Sequence, residues 1–107
     1  MNIYTLKTTV QQEQGVLPYM KVSGDLPYGV FFFPYAHSQT LSGVGLKQPI
    51  RAYALDLNFK QVLTALGRSN ILSPGDVLQL PLQTMHVVET SLGMAPITDF
   101  SFLRKEV

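Results

Sequence analysis

Residues 28–35 read YGVFFFPY, a run rich in the aromatic and β-branched residues that strands favour. Neighbouring side chains of a strand point to opposite faces, so Phe31 and Phe33 share one face while Val30 and Phe32 share the other. Both faces are therefore apolar, which is typical of a strand buried on both sides. We expect one face to pack in the core and the other to meet a second subunit or a ligand.

Short alternating segments bounded by Gly, Pro and Ser predict further strands at 2–10, 19–23, 47–55, 77–82, 84–90 and 97–103. One short helix is predicted near residues 59–66, because apolar side chains recur at helical spacing from Phe59, with Asn58 as N-cap and Gly67 at the C-terminal end. This order favours a mainly β fold, a small antiparallel barrel of the oligonucleotide-binding (OB) type formed as one domain by residues 1–107. A β-sandwich shows the same pattern and is the alternative.

Composition narrows the class of protein. Only 14% of the residues are charged, against ~25% in typical globular domains, which indicates a surface partly covered by another subunit. We therefore predict a homodimer or a larger homo-oligomer. No apolar run approaches the length of a membrane span and the first residues lack a signal-peptide pattern, so we expect no membrane partner and a cytoplasmic location.

Two of the predicted strands place an aromatic ring beside a cation. Tyr19 and Lys21 share one face of 19–23, and Lys47, Arg51 and Tyr53 share one face of 47–54. Aromatic rings beside cations are what sequence-tolerant binding of single-stranded nucleic acid requires. The formal net charge of +1 argues against strong nonspecific binding of duplex DNA, so stacking would carry any nucleic-acid binding.

The predicted interface with single-stranded DNA follows from these faces and from the other exposed-type residues near them. The predicted stacking residues are Tyr19, Tyr28 and Tyr53, and the predicted phosphate contacts are Lys7, Lys21, Lys47 and Arg51. The predicted oligomer interface is the strand with Phe31, Phe32 and Phe33. The alternatives are tyrosines at the edge of the core, with only the hydroxyl in water, and cations that are simply solvated.

Both ends of the chain carry a family resemblance. The opening Met1-Asn2-Ile3, the Gly15-Val16-Leu17-Pro18-Tyr19 segment, and the ending from Pro74-Gly75 through Gln79-Leu80-Pro81-Leu82 to Phe100 and Phe102 resemble the single-stranded-DNA-binding (helix-destabilising) proteins of filamentous bacteriophages. The resemblance covers residues 1–23 and 73–107. It implies a small OB-like dimer, encoded by a phage or mobile element, that coats single-stranded DNA during replication in the host-cell cytoplasm. It also implies that the Pro-Tyr wing, here Tyr19 and Lys21, contacts DNA.

Catalysis is not expected. His37 is predicted in a loop and His86 in a strand, neither is near a paired carboxylate, and the chain has no cysteine. The glycines of 43–47 precede a predicted strand and lack the spacing of a phosphate-binding loop. We therefore predict a non-enzymatic protein with no cofactor, no metal and no small-molecule substrate. The competing hypothesis is a structural protein of a virion, such as a capsid, cement or connector subunit.

Overall fold

The computed structural model describes residues 2–34, 39–64, 67 and 69–107 of the chain. Eight strands lie in these residues, and the prediction of a mainly β fold is confirmed. The strands are β1 (Asn2–Thr5), β2 (Gly29–Phe33), β3 (Thr40–Ser42), β4 (Ile50–Leu55), β5 (Gln61–Val62), β6 (Asn70–Leu72), β7 (Val77–Gln79) and β8 (Met85–Glu89). The helices are α1 (Thr9–Gln14) and two 3-10 helices, Leu17–Tyr19 and Ser101–Glu106.

The strands form one large and one small sheet. The large sheet has the order β1-β2-β8-β4-β5, and β6 also pairs with β4, while β3 and β7 form a two-stranded sheet. The sheet is mixed rather than purely antiparallel, because β1 runs parallel to β2. A parallel pair needs a long crossover, and the connection from β1 to β2 contains α1 and the first 3-10 helix. Closure into an OB-like barrel stays a prediction, since the pairings of the described strands form no ring.

The central strand β2 is buried on both faces, as its sequence predicts. Phe31 and Phe33 pack in one apolar cluster with Leu6 and Val88. Val30 and Phe32 belong to the second cluster, which the C-terminal segment covers through Phe100 and Leu103. Residues of the same chain therefore cover both faces of β2.

The prediction that Phe31, Phe32 and Phe33 form an oligomer interface is therefore wrong. Their exposed fractions in the single chain are 0%, 0% and 3%, so no ring is left for a second subunit to cover. The sequence pattern correctly predicted two apolar environments but not that one chain supplies both.

The helix predicted at 59–66 is also corrected. Residues 56–60 form the turn of a hairpin between β4 and β5, and Phe59 has a φ of 62°. Asp56 Oδ1 accepts the backbone N–H groups of Asn58 and Lys60 at 2.9 and 3.0 Å. These bonds satisfy the backbone locally and compete with helix formation. The last two positions of the predicted helix, 65 and 66, lie outside the described residues.

The helix α1 occupies a segment that was predicted as the end of a strand and a loop. Thr8 Oγ1 accepts the backbone N–H of Gln11 at 3.0 Å, and Gln11 Oε1 accepts the backbone N–H of Thr8 at 3.1 Å. This reciprocal capping box stabilises the first turn of the helix. The strand predicted at 97–103 is likewise replaced, in part by the 3-10 helix Ser101–Glu106.

The buried histidine of β8 should make stability depend on pH. His86 is 2% exposed, and burial lowers its pKa from 6.5 to about 4. The unfolded chain therefore binds a proton more readily than the folded chain, and stability present above pH 6.5 is lost as the pH falls toward 4. We expect His86 to contribute a loss of about 2.5 kcal/mol in the free energy of unfolding between about pH 7.5 and 4.5.

Urea denaturation of the wild type and of His86→Gln at both pH values measures this contribution. The variant should be less sensitive to acid by that amount, because glutamine does not titrate. An equal loss in both proteins would assign the acid sensitivity to other groups. His37, the other histidine, lies outside the described residues.

Candidate functional site

A cleft of about 410 Å³ opens at the edge of the large sheet where β2 and β4 begin and β8 ends. Three loops supply its walls, from residues 20–28, 46–49 and 90–93. Tyr28 and Lys47, both predicted as DNA contacts, line this cleft. Polar groups of Gln48, Thr90 and Ser91 share the lining with them.

The first wall is a hydrogen-bonded turn, and the strand predicted at 19–23 is wrong, because the 3-10 helix Leu17–Tyr19 leads directly into this turn. Lys21 N–H donates to the Asp25 carbonyl at 2.8 Å, and Gly24 N–H donates to the Lys21 carbonyl at 2.9 Å. Ser23 Oγ adds a hydrogen bond to Asp25 Oδ2 at 3.1 Å. These bonds hold Lys21, which is exposed, on the loop that forms the cleft wall.

Lys47 crosses this turn at Gly24. Gly24 has a φ of 91°, and a Cβ there would lie 2.9 Å from Lys47 Cγ. The glycine is required both by its backbone conformation and by the close approach of the lysine stem. The stem is therefore packed against the turn, while the residue as a whole remains exposed, which leaves the ammonium group in water.

Tyr28 stands at the mouth of the cleft with 62% of its surface exposed. The following residue fixes its backbone, because Gly29 N–H donates to Thr90 Oγ1 at 3.0 Å and the Gly29 carbonyl accepts from Thr90 N–H at 3.1 Å. A Cβ on Gly29 would lie 2.4 Å from the Asn2 carbonyl oxygen, so β1 also packs tightly there. A well-anchored backbone thus carries an accessible aromatic ring.

Arg51 does not face a phosphate, contrary to the prediction. Its Nη1 donates to the Met94 carbonyl and its Nη2 to the Leu92 carbonyl, each at 3.2 Å. Nη1 also lies 3.4 Å from Glu89 Oε1, and the Arg51 side chain is only 14% exposed. Arg51 therefore positions the 90–93 wall of the cleft from inside the protein.

The prediction that Tyr53 stacks on a base is also wrong. Tyr53 is 2% exposed, and its ring packs edge-on against Phe100 at a centroid distance of 5.1 Å. Its hydroxyl donates to Glu89 Oε1 and accepts the Ile97 N–H at 3.3 Å. Burial, together with the hydrogen bond to Glu89, raises the pKa of Tyr53 to about 12. The Tyr53 phenol therefore stays protonated, and its ring is part of the hydrophobic core.

The remaining predicted contacts lie at different distances from the cleft. Tyr19 does not line the cleft; it is 37% exposed and packs on Tyr4 and Phe31 at centroid distances of 5.3 and 4.9 Å. Lys7 is exposed but follows Leu6, whose N–H binds the Phe32 carbonyl at the other end of β2. The structure thus brings Lys21, Tyr28 and Lys47 together and separates Lys7 from them.

Sequence reasoning missed the polar lining and the buried carboxylate. Gln48, Thr90 and Ser91 carry no motif, and contacts between segments distant in sequence, such as the Gly29 to Thr90 hydrogen bond, bring their loops to the cleft. Glu89 is 0% exposed at the end of β8, whose other residues are Met85, His86, Val87 and Val88. The sequence carries one indication of a buried ion pair: Glu89 is the only charged residue in its strand, and a buried carboxylate needs a cation as its partner.

The described residues contain no group of three or more His, Cys, Asp or Glu side chains able to hold a metal ion. None of the helices in the described part of the chain is long and apolar enough to cross a membrane. Comparisons with protein-family models, curated proteins and solved structures find no match.

Proposed function

We propose that the protein binds single-stranded DNA, with one nucleotide of the strand held in the cleft between Tyr28 and Lys47. The supporting observation is that the exposed Tyr28 ring and a lysine whose stem is packed on Gly24 both line one cleft, whose walls carry polar and apolar groups. The base stacks on Tyr28, and the ammonium group of Lys47 neutralises a flanking phosphate.

The dimensions and chemistry of the cleft support this role. Its volume of about 410 Å³ lies in the range of small-ligand sites. The Gln48 amide can both donate and accept hydrogen bonds, and the Thr90 and Ser91 hydroxyls, which accept the Gly29 and Gly93 N–H groups, each keep an O–H to donate to a base edge. Stacking contributes ~1–3 kcal/mol per base and is tolerant of sequence.

The small number of cations predicts a shallow salt dependence. With one phosphate neutralised by Lys47, the logarithm of the binding constant should fall with the logarithm of salt concentration with a slope of about −0.7. In this proposal the protein coats a strand as the resemblance to filamentous-bacteriophage proteins implies, and acts as a homodimer in the host cytoplasm without catalysis or cofactor.

Single substitutions at the cleft test the proposal by fluorescence anisotropy with a labelled oligothymidylate at low salt. Removal of the stacking ring by Tyr28→Ala should weaken binding roughly 5- to 150-fold, whereas Tyr28→Phe should bind like the wild type because it keeps the ring. Lys47→Ala should also weaken binding and flatten the salt dependence.

Lys7→Ala is the matched control for Lys47→Ala, because Lys7 is an exposed lysine at the other end of β2. It should bind like the wild type. Equal binding by Tyr28→Ala and the wild type would contradict the proposal, and so would an equal loss in the two lysine variants.

A subunit of a virion is the second candidate, and exposed apolar side chains favour it. Leu57, Leu63 and Leu82 are each exposed by more than 60%. Contact with neighbouring subunits would cover such side chains in an assembled particle. Native mass spectrometry distinguishes the two candidates: a dimer that takes up oligonucleotide supports DNA binding, and a large closed oligomer that ignores it supports the assembly subunit.

A further inference from the structure

The tip of the hydrogen-bonded turn presents a bare apolar side chain. Val22 is exposed by 110%, more than in an extended reference chain, and lies between Lys21 and Ser23. The hydrogen bonds of the turn involve Lys21, Ser23, Gly24 and Asp25 but not the Val22 side chain. The valine therefore contributes no packing to its own fold, and its exposure costs solvation free energy.

A second cavity, of about 350 Å³, is lined by Leu17, the first residue of the 3-10 helix Leu17–Tyr19. We call it the α1 groove, since residues 12–14 of α1 form one wall and β3 forms another. Its floor is the apolar face of the large sheet, with Phe33 and Val88. Leu17 and Val44 line it and are 40% and 60% exposed, so apolar surface is accessible within it.

The charges around the two features are complementary. Glu13 lines the α1 groove and is exposed, and none of the described lining residues is cationic. Lys21 directly precedes Val22 on the turn, and it too is exposed. An apolar tip beside a cation thus matches an apolar groove beside an anion, which favours correct pairing of the two surfaces.

From this match we propose that Val22 of one copy inserts into the α1 groove of a second copy of the chain, with Lys21 facing the second copy's Glu13. Leu17 of the 3-10 helix lines the groove and Val22 follows the end of that helix by three residues, so tip and groove lie close together in the chain. A two-fold axis near this helix would make the contact reciprocal and close a dimer. The interface differs from the corrected one at Phe31, Phe32 and Phe33, and it does not depend on DNA.

Sedimentation velocity over about 5 to 500 µM protein, without DNA, tests the proposal. The wild type should dimerise, and Val22→Ser should weaken dimerisation at least about tenfold by replacing the apolar tip with a polar one. Leu57→Ser is the matched control, because Leu57 is an apolar turn residue exposed by 77% outside the proposed contact. It should dimerise like the wild type.

Exchanging the charges of Lys21 and Glu13 tests the proposed contact more specifically than Val22→Ser does. Lys21→Glu and Glu13→Lys should each weaken dimerisation, and the double variant should restore it. A wild type that is monomeric throughout, a Val22→Ser variant that dimerises normally, or a double variant without recovery would overturn the proposal. Oligonucleotide binding by monomeric Val22→Ser separates this outcome from a failure of the DNA proposal, which needs Tyr28 and Lys47 instead.

Discussion

Replacing Arg51 by alanine should lower the free energy of unfolding by about 3–5 kcal/mol, because it leaves a buried charge without its partner. The Glu89 carboxylate is 0% exposed, and Arg51 is its cation in the one salt bridge among the described residues. The same substitution removes the hydrogen bonds to the Leu92 and Met94 carbonyls. Urea denaturation at neutral pH measures the loss.

A double variant separates the buried charge from the lost contacts. Glu89→Gln removes the charge, so Arg51→Ala should cost less in a Glu89→Gln background than in the wild type. Lys105→Ala, at an exposed cation, is the control and should change stability little. An Arg51→Ala variant as stable as the wild type would contradict the internal role of this arginine and favour the original prediction of a phosphate contact.

Phe31→Ala should destabilise the protein by about 3–5 kcal/mol through the cavity that it leaves. The Phe31 ring is 0% exposed and packs against Tyr4 and Tyr19 at centroid distances of 4.7 and 4.9 Å. Thermal and urea unfolding measure the effect, and Phe31→Leu provides a milder variant that should stay folded.

The oligomeric state of Phe31→Leu distinguishes a core residue from an interface residue. We expect the variant to unfold more easily and to keep the oligomeric state of the wild type. A variant of normal stability that dissociates the oligomer would restore the original interface prediction for this strand.

The face of the sheet to which each residue of β2 and β4 points was the most predictable part of the fold. The alternation in 47–54 correctly places Arg51 and Tyr53 on the face opposite Ala52 and Ala54, and the phase of β2 is also correct. What covers each face was not predictable, because the cover comes from remote segments. Residues 100–103 cover one face of the sheet, and no pattern within β2 or β4 encodes that contact.

The wrong assignments of Tyr53 to base stacking and of Arg51 to a phosphate contact have one physical origin. Arg51 and Tyr53 both bind Glu89, which lies 38 and 36 positions away in the chain. A cation and a ring on one strand face look the same in sequence whether they meet a nucleic acid or a buried carboxylate. The helix predicted near 59–66 failed for a local reason, since Asp56 forms a turn that apolar spacing does not reveal.

The candidate site was predictable only as separate residues. Tyr28 and Lys47 were both singled out, but their proximity depends on the close approach of the Lys47 stem to Gly24 and on the Gly29 to Thr90 hydrogen bonds. These contacts join three loops that are distant in sequence. No sequence pattern distinguishes Lys7 from Lys47 as a DNA contact. The pairing of β1 with β2 is what places Lys7 away from the cleft.

An NMR titration of the ¹⁵N-labelled protein with unlabelled oligothymidylate at low salt tests the central proposal most directly. The account predicts that the largest amide shifts cluster in residues 20–28, 46–49 and 90–93, the three walls of the cleft. The amide resonances of residues near Lys7 should not shift. Saturating oligonucleotide that leaves the cleft amides unmoved, or moves those of another surface instead, would contradict the proposed site.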